Sequence, residues 1–511
     1  MNSELFYWLG PLIVLLVGSG LTKGRVRDVL FNSFLGLLTA FVVSSTYSMV
    51  PRSSKLIDQV PILDLNKVEM QLRVESALAT SDQIWEKILG KKRNRSGVFG
   101  LLASPKKESE ASTHLLSIKY LEDALKKHKD STQIKLRLAL VLLDDPKSDF
   151  QQAVILLKQI EQTPKIGILA TCLQQIASGE KPETGDFNQA VAIAQTSLPK
   201  GWFQEEALIW LFSSDKNSPA YKNMKLQIAD NSVGLLFRVL GLMLGALGLG
   251  LVGVIVLAIE LFRLSRKPLP KTLEPKPWSA KLTYSIFLSW MASQIIVGKL
   301  VLSFIQPISP VTGPWAAISV TGLLYFCSNL PGMLLIYFLA LRPYKLSFAD
   351  GVGLRLSSPG YSFLKLCGVG ILAWCTLFPI ILSTALLMKN SGSSNPMMTI
   401  AMEIGRRSDI GSVVFLILVV SVLAPLCEEI LFRGFLFQAL ERWFGTRSSI
   451  FLSSLAFAAI HMDPNVILQL FCLGYVFAVI FARTRSLLPS MIAHGLWNSC
   501  VFIVSWSVLS T

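Results

Sequence analysis

The sequence predicts an all-α polytopic membrane protein with about eight to ten membrane helices and an inserted helical extramembrane domain. Hydrophobic residues make up 52% of the 511 residues and charged residues only 16%, against about 25% charged residues in soluble domains. Apolar runs near the length of about 20 residues that a membrane helix needs recur through the chain. They lie at about 5–21, 29–50, 233–262, 282–305, 313–341, 363–388, 411–440, 449–461, 465–482 and 487–507.

The first apolar run, 5–21, is short and resembles a signal sequence. Glu4 stands where a basic segment belongs, and no A-x-A-like cleavage site follows the run. We therefore expect 5–21 to be retained as a membrane helix, so that residues 1–50 form an N-terminal anchor of two helices.

Charge separates residues 51–231 from the rest of the chain. This segment carries 25 basic and 22 acidic residues and is nearly balanced, although the whole chain has a net charge of +15. The basic surplus belongs to the apolar segments and their loops, as in membrane proteins with basic cytoplasmic loops, so nucleic acid is not an expected partner. We divide the chain into an anchor (1–50), a helical extramembrane domain (51–231), a membrane helix with a basic loop (232–280) and a C-terminal membrane domain (281–511).

The basic loops predict the orientation in the membrane. The loop 263–281 carries six basic residues against one acidic residue, and the loop 22–28 carries three basic residues. Basic loops stay in the cytoplasm, so the segment between them, 51–231, is expected on the non-cytoplasmic side. The same count makes the turns at 342–345 and 483–485 cytoplasmic.

Within 51–231, helical periodicity is present at 114–129, 133–143 and 150–162, with polar breaks between these stretches. The spacing predicts stacked helical hairpins, although no motif repeats at a fixed period. The basic segment Lys91–Arg95 could meet an acidic partner or a lipid headgroup, but a solvated loop is the favoured interpretation. His114 and His128 lack acidic or Cys partners at ligand spacing and are interpreted as surface residues. The sequence indicates no particular partner for this domain.

Seven cysteines show no CxxC spacing, and six of them lie in apolar runs. Cysteine in such runs behaves as a small hydrophobic residue, so we predict neither disulfides nor a thiolate zinc site.

The apolar run 411–440 contains three charged residues, Glu428, Glu429 and Arg433. A charge at bilayer depth costs at least about 2.5 kcal/mol, so each of these residues is expected to have a structural or functional role. Glu429 and Arg433 are four residues apart and share a helix face, which predicts an ion pair. Glu428 is turned about 100° away from that face. It is therefore the candidate base. The alternative, an ion pair that only holds two helices together, accounts for Glu429 and Arg433 but not for Glu428.

Two of the four histidines lie in the same apolar region. His461 closes the short run 449–461, which at about 1.5 Å per residue ends inside the bilayer. His494 lies in the last apolar run, and Asn498 is one turn further on the same face. A single buried His is more often a satisfied core residue, but two His, one spare Glu and one Asn together favour a site.

These residues form three motifs in order. Glu428–Arg433 reads EExxxR, Phe457–His461 reads FxxxH and His494–Asn498 reads HxxxN. This pattern resembles the CPBP (CAAX protease and bacteriocin-processing) family of intramembrane proteases. The resemblance covers about residues 280–507, with its motifs in 420–500, and does not include residues 1–260.

The resemblance implies roles for the motif residues. Glu428 would be the general base, His461 would assist it in activating water, and His494 with Asn498 would form the oxyanion hole. Glu429 and Arg433 would support the site structurally. The implied activity is an intramembrane endopeptidase acting on a membrane protein or a lipidated peptide. Metal-free activation of water is favoured, although Glu428, His461 and His494 could in principle bind zinc.

Two other functions remain open from the sequence. The chain could be a proteolytically inactive scaffold or chaperone for membrane proteins that works through 51–231. It could also be an ion-coupled transporter, since Glu and His inside a membrane also mark ion pathways. The intact motifs favour the enzyme.

Overall fold

The structure is a computed structural model in which the described residues are almost entirely helical. It describes residues 11–12, 14–16, 19, 23–59, 68–69, 71–74, 76–77, 110–145, 150–164, 166–198, 200–266, 276–305, 314–388, 410–461 and 463–509. Within these ranges no β-strand occurs, so the predicted all-α class is confirmed. Most of the run 5–21 and the segment Lys91–Arg95 lie outside the described residues.

Seventeen α-helices are numbered here in chain order across the described ranges. They are α1 (Gly24–Gln59), α2 (Glu110–Lys127), α3 (Thr132–Asp144), α4 (Phe150–Lys158), α5 (Gly167–Ala177), α6 (Thr184–Ser197), α7 (Trp202–Phe212), α8 (Pro219–Arg266), α9 (Ala280–Ile305), α10 (Pro314–Leu335), α11 (Phe348–Val352), α12 (Phe363–Met388), α13 (Ile410–Leu418), α14 (Ala424–Glu429), α15 (Gln438–Ile460), α16 (Ile467–Thr484) and α17 (Leu488–Leu509). Three π-helical segments connect some of them: Ile336–Leu341, Val419–Leu423 and Ile430–Phe437.

The chain forms two compact units. One consists of Met1–Arg52 with Gly245–Phe502, and the other of Ser53–Leu244 with Ile503–Thr511. We call them the membrane unit and the inserted unit.

In the inserted unit, helices α2 to α7 share one hydrophobic core, and each helix packs against the next along the chain. Helix α3 is central, because its residues from Leu136 to Leu143 are all buried. It begins after Ser131, whose hydroxyl accepts a hydrogen bond from the Ile134 N–H as an N-cap. The helices predicted at 114–129, 133–143 and 150–162 are present, with slightly different bounds.

The prediction that His114 is a surface residue is wrong. Its side chain is half-buried, and its Nε2 lies 3.0 Å from Asp144 Oδ2. Asp144 ends helix α3, thirty residues further along the chain, so a spacing search for local partners could not find this pair.

Apolar helices make up most of the membrane unit. Six helices among the described residues are long and apolar enough to cross a membrane: Pro219–Arg263, Gly322–Tyr344, Phe363–Leu387, Ile410–Ile460, Ile467–Thr484 and Leu488–Ser507. The protein is thus an integral multi-pass membrane protein. Helix α1, which contains the apolar run 29–50, packs against α9 through Phe34, Leu38 and Phe41. Thr39 Oγ1 and Tyr284 Oη lie 2.6 Å apart in the same contact.

The basic loops converge on one face of the membrane unit. Arg442 Nη1 donates to the carbonyls of Lys276 (3.1 Å) and Trp278 (3.3 Å). The Tyr344 hydroxyl donates to the Pro277 carbonyl at 3.4 Å. The end of the 263–281 loop therefore lies beside the 342–345 turn.

The 483–485 turn joins this face through two ion pairs. Arg485 binds Glu441, the neighbour of Arg442, through Nη1 (2.7 Å) and Nη2 (2.9 Å). Arg483 pairs with Glu260 near the end of α8. These contacts agree with the prediction that the basic loops share one side of the membrane. Which side it is remains a prediction.

Two of the predicted apolar helices differ in detail. The run 411–440 is one continuous helical rod, but two π-helical segments interrupt its α-helical winding. The short helix at 449–461 is the second part of α15, which changes direction at Gly445. Gly445 has φ of 74°, a conformation that glycine adopts without strain. The helix ends at Ile460 with His461 directly after it, as predicted.

Candidate active site

The predicted ion pair between Glu429 and Arg433 is present and fully buried. Arg433 Nη1 donates to Glu429 Oε1 at 2.9 Å, and both side chains have 0% exposure. Arg433 Nη2 donates to the Gly474 carbonyl on α16 at 2.9 Å. A buried charge is tolerated when it is paired and hydrogen-bonded, and the guanidinium satisfies both requirements.

Aromatic rings and one glycine shape the space around Arg433. Its guanidinium carbon lies 4.7 Å from the Phe457 ring centre and 5.3 Å from that of Phe477. A Cβ atom at Gly474 would come within 3.3 Å of Arg433 Nη2 and 3.2 Å of the Phe457 ring. Gly474 therefore allows α16 to approach the guanidinium closely enough for its carbonyl to accept the hydrogen bond.

Glu428 faces a different set of groups from Glu429, as the helical geometry predicted. Its Oε1 accepts a hydrogen bond from the Tyr325 hydroxyl at 2.8 Å. Its Oε2 lies 3.8 Å from His494 Nε2 and accepts no hydrogen bond from the described residues. The side chain retains 15% exposure, against 0% for Glu429. Glu428 is thus the accessible carboxylate of the two.

His494 lies between the two glutamates. Its Nδ1 is 3.0 Å from Glu429 Oε1, and its Nε2 points towards Glu428 Oε2. A carboxylate paired with arginine can only accept, so His494 Nδ1 carries the hydrogen of this bond. In the neutral imidazole Nε2 is then a hydrogen-bond acceptor, and it becomes a donor when His494 is an imidazolium.

Helix α17 packs against the π-helical segment Val419–Leu423, which precedes Pro425. Pro425 has no N–H, so it leaves a carbonyl of the preceding segment Val419–Leu423 without its helical donor. Asn498 Nδ2 donates to one such carbonyl, that of Val420, at 2.9 Å. Gly495 permits close approach, because a Cβ there would lie 2.2 Å from the Ser421 carbonyl oxygen. These contacts fix the position of His494 against α14.

The hydrogen bond from Asn498 to the Val420 carbonyl was not predicted from the sequence. One N–H of its carboxamide is bound to Val420, and the side chain makes no further hydrogen bond within the described part of the chain. A carboxamide has two N–H donors, so one remains for a ligand.

His461 lies close to this group of residues without joining it directly. Its Nδ1 donates to the Phe457 carbonyl at 2.7 Å, which leaves Nε2 as an acceptor in the neutral ring. The Phe457 ring contacts both imidazoles, with centroid distances of 4.9 Å to His461 and 5.8 Å to His494. Among the described residues, His461 forms no hydrogen bond to Glu428.

The group lies deep in the membrane unit. Glu428 belongs to the apolar helix Ile410–Ile460 and His494 to the apolar helix Leu488–Ser507, both long enough to cross a membrane. Glu429, Arg433 and His494 are buried there.

The analysis of the sequence missed Tyr325. It lies on α10, 103 residues before Glu428, in an apolar run with no charged residue. A signal was present, because Tyr325, Ser328 and Asn329 recur at helical spacing and place polar groups on one face of an otherwise apolar helix.

The residues predicted as potential zinc ligands do not fit a metal in this arrangement. Glu428 Oε2 and His494 Nε2 are 3.8 Å apart, whereas the hydrogen bond of His461 within the described part of the chain goes to the Phe457 carbonyl. No three His, Cys, Asp or Glu side chains in the described ranges are grouped so that they could hold a metal ion.

Comparison with known proteins identifies the part of the chain that carries this site. The family model described as "Type II CAAX prenyl endopeptidase Rce1-like" matches residues 410–500. The chain is 32% identical over 109 residues to the "Putative membrane peptidase YdiL" of Bacillus subtilis (strain 168). This match covers 20% of the chain and 45% of the relative, less than half of its length. No solved structure matches the chain.

The resemblance to the CPBP family that the three motifs predicted is confirmed for residues 410–500. This segment contains Glu428, Glu429, Arg433, His461, His494 and Asn498. Tyr325 and the inserted unit lie outside it.

Proposed function

We propose that the protein is an intramembrane endopeptidase that hydrolyses a peptide bond at or within the bilayer, with Glu428 as the general base. The observation that carries the proposal is the arrangement of Glu428. It is a half-buried carboxylate with one oxygen held by Tyr325 and the other directed at His494 Nε2. It belongs to the segment that resembles the protease family.

The chemistry follows from these atoms. Glu428 Oε2 removes a proton from a water molecule, whose oxygen forms a bond to the scissile carbonyl carbon. The π electrons of that carbonyl move to its oxygen and give a tetrahedral oxyanion. When the C–N bond breaks, the protonated Glu428 returns its proton to the departing amine. No Ser or Cys nucleophile is required.

Two donors are proposed to stabilise the oxyanion. Asn498 has an amide hydrogen beyond the one bound to Val420. His494 is the second proposed donor, and it donates from Nε2 when the ring is an imidazolium. Such fixed donors act strongly in a site with little water. His461 would hold the second hydrogen of the attacking water through Nε2.

Glu429 and Arg433 are proposed to support the site without contacting the substrate. Their pair is buried, and it binds α16 through Gly474 and α17 through His494. The bond from His494 Nδ1 to Glu429 also determines which ring nitrogen faces Glu428.

The proposed substrate is a membrane protein or a lipidated peptide, because a site carried by membrane-spanning helices is reached by chains that lie in the membrane. The basic face is proposed to be cytoplasmic and the inserted unit to lie on the opposite side. A partner for the inserted unit is not proposed.

The decisive experiment compares membrane peptides from cells that carry wild-type protein or Glu428→Gln. We expect peptides that accumulate uncut only in the variant, and cleavage of the same peptides by purified wild-type protein in proteoliposomes. Glu180→Gln, the same change at an exposed position of the inserted unit, is the control and should behave as wild type. Equal cleavage by wild type and Glu428→Gln would refute the proposal.

The same preparations distinguish the alternatives. A scaffold would lose its cellular effect on deletion of the inserted unit but not in Glu428→Gln. A transporter would show a pH-dependent flux with no peptide product. Activity that survives a chelator, in protein without zinc, supports metal-free activation of water. Activity lost to chelator and restored by zinc would require Glu428, His461 and His494 to act as ligands after rearrangement.

A further inference from the structure

Tyr325 is built into the site although it lies far outside the three motifs. Its hydroxyl donates to Glu428 Oε1 at 2.8 Å from the facing helix α10. A phenol has an ordinary pKa of about 10, so it is protonated and donates at neutral pH. Tyr325 is the residue that occupies this oxygen of the proposed base within the described part of the chain.

The helix that carries Tyr325 is held firmly at this point. The main-chain carbonyl of Tyr325 accepts a hydrogen bond from Asn329 Nδ2 at 2.8 Å. Asn329 is buried, and its Oδ1 accepts from Trp290 Nε1 (3.1 Å) and Gln294 Nε2 (3.0 Å), both on α9. Gly332 makes room for Trp290, whose ring would lie 2.5 Å from a Cβ at that position. The polar network therefore fastens α10 to α9 beside the tyrosine.

The hydrogen bond has a geometric consequence for Glu428. The last torsion of a glutamate side chain is broad, so an unrestrained carboxylate would rotate and exchange its two oxygens. The bond from Tyr325 occupies Oε1 and leaves Oε2 facing His494 Nε2 at 3.8 Å. Tyr325 thus determines which oxygen is available to take a proton.

We propose that Tyr325 is a positioning residue that orients the Glu428 carboxylate. This inference rests on the proposed function, because it assigns Tyr325 a role through the base. Tyr325 itself is not a catalytic residue, since it contacts Glu428 and not the reacting water or the peptide.

The other charged and titratable groups that face Glu428 must be considered when pH dependence is measured. His494 faces it from α17, and Cys427 adjoins it on α14. Arg433, paired with Glu429, also acts on it through its charge. A change confined to Tyr325 leaves all of these groups in place.

The test is Tyr325→Phe, which removes only the hydroxyl, with Tyr337→Phe as the matched control. Tyr337 follows α10 on the same helical rod and is 36% exposed. For Tyr325→Phe we expect kcat to fall about tenfold to a hundredfold, the effect of losing one hydrogen bond to a charged group, with KM nearly unchanged. The acid limb of the pH–rate profile should also move, because the hydroxyl that binds the Glu428 carboxylate is gone. The control should match wild type.

A second variant keeps the inference testable if Tyr325→Phe does not fold. Replacement of Tyr325 by 3-fluorotyrosine keeps the ring and makes the hydroxyl a stronger donor. The acid limb should then move in the direction opposite to Tyr325→Phe, with the unfolding temperature unchanged. A merely structural tyrosine predicts an unmoved acid limb in both variants, whatever their stability, and that result would overturn the inference.

Failure of the proposed function would have a different signature. If Glu428→Gln cleaves as well as wild type, or wild type cleaves nothing, Glu428 is not the base. If Glu428→Gln is inactive and Tyr325→Phe has the wild-type kcat and pH profile, only the role of Tyr325 is refuted.

Discussion

Removal of the Arg433 guanidinium should destabilise the membrane unit far more than neutralisation of Glu428. Arg433→Met keeps most of the side-chain volume but removes the ion pair to Glu429, the hydrogen bond to Gly474 and the contact with the Phe457 ring. The dominant cost is the unpaired buried Glu429 carboxylate, which amounts to about 3–5 kcal/mol. The lower end of this range is expected, because His494 Nδ1 still donates to Glu429.

Glu428→Gln should cost at most about 1 kcal/mol. Its Oε1 position can still accept from Tyr325, and the residue retains some exposure. For a unit of this size we expect the unfolding temperature in detergent to fall by about 5–10 °C for Arg433→Met and by about 2 °C or less for Glu428→Gln.

The double variant Glu429→Gln/Arg433→Met makes the reasoning testable as a cycle. Removal of both charges leaves no buried ion, so the double variant should be more stable than Arg433→Met alone by about 1–3 kcal/mol. Purified variants are compared by thermal unfolding under identical conditions. Equal losses in Arg433→Met and Glu428→Gln would show that the two glutamates do not have separate roles. A double variant as unstable as the sum of its single changes would show that the unpaired Glu429 charge is not the main cost of Arg433→Met.

Three further predictions concern other parts of the molecule. Asn498→Ala should lower the rate of peptide cleavage by about 10²–10³-fold, the usual effect of losing one oxyanion donor, and a wild-type rate would exclude that role. In sealed vesicles with the cytoplasmic face outward, trypsin should cut within 263–281 but spare Lys91–Arg95, and cleavage at Lys91–Arg95 would contradict the predicted orientation. Burial, followed by the charge of Asp144, holds the pKa of the Glu206 carboxyl well above its ordinary value of 4.5. The folded inserted unit therefore binds this proton more tightly than the unfolded chain, and its stability should decrease as pH rises through the raised pKa. After correction for the intrinsic pH dependence of amide exchange, the protection of α7 in the full chain should decrease as pH rises above 4.5 in wild type but less in Glu206→Gln. An equal decrease in both would refute the assignment.

The site was predictable from sequence where the chemistry is local. Glu429 and Arg433 are one turn apart, so their pair follows from helix geometry alone, and the different surroundings of Glu428 follow from the same geometry. The contact between His494 and both glutamates depends on the packing of α17 against α14. The three motifs led to the expectation that His494 and Glu428 belong to one site, but not that His494 contacts Glu429.

Other features could not be predicted because they depend on packing between distant segments. Tyr325 is 103 residues from Glu428, and a tyrosine in an apolar helix has many ordinary explanations. The bond from Asn498 to the Val420 carbonyl depends on a π-helical segment, which hydrophobic periodicity does not reveal. The pair of His114 and Asp144 depends on how α2 packs against α3.

The contact between α1 and α9 also has a consequence for the timing of biosynthesis. Thr39 and Tyr284 are hydrogen-bonded across 245 residues of chain. Translation proceeds at about 5–20 residues per second, so α1 must wait about 10–50 s for its partner to be made. Until then, the Thr39 hydroxyl can be satisfied within its own helix by the Leu35 carbonyl, 2.7 Å away. If the run 29–50 spans the membrane as its sequence predicts, this satisfied side chain and the helical backbone allow α1 to remain in lipid until the rest of the membrane unit is made.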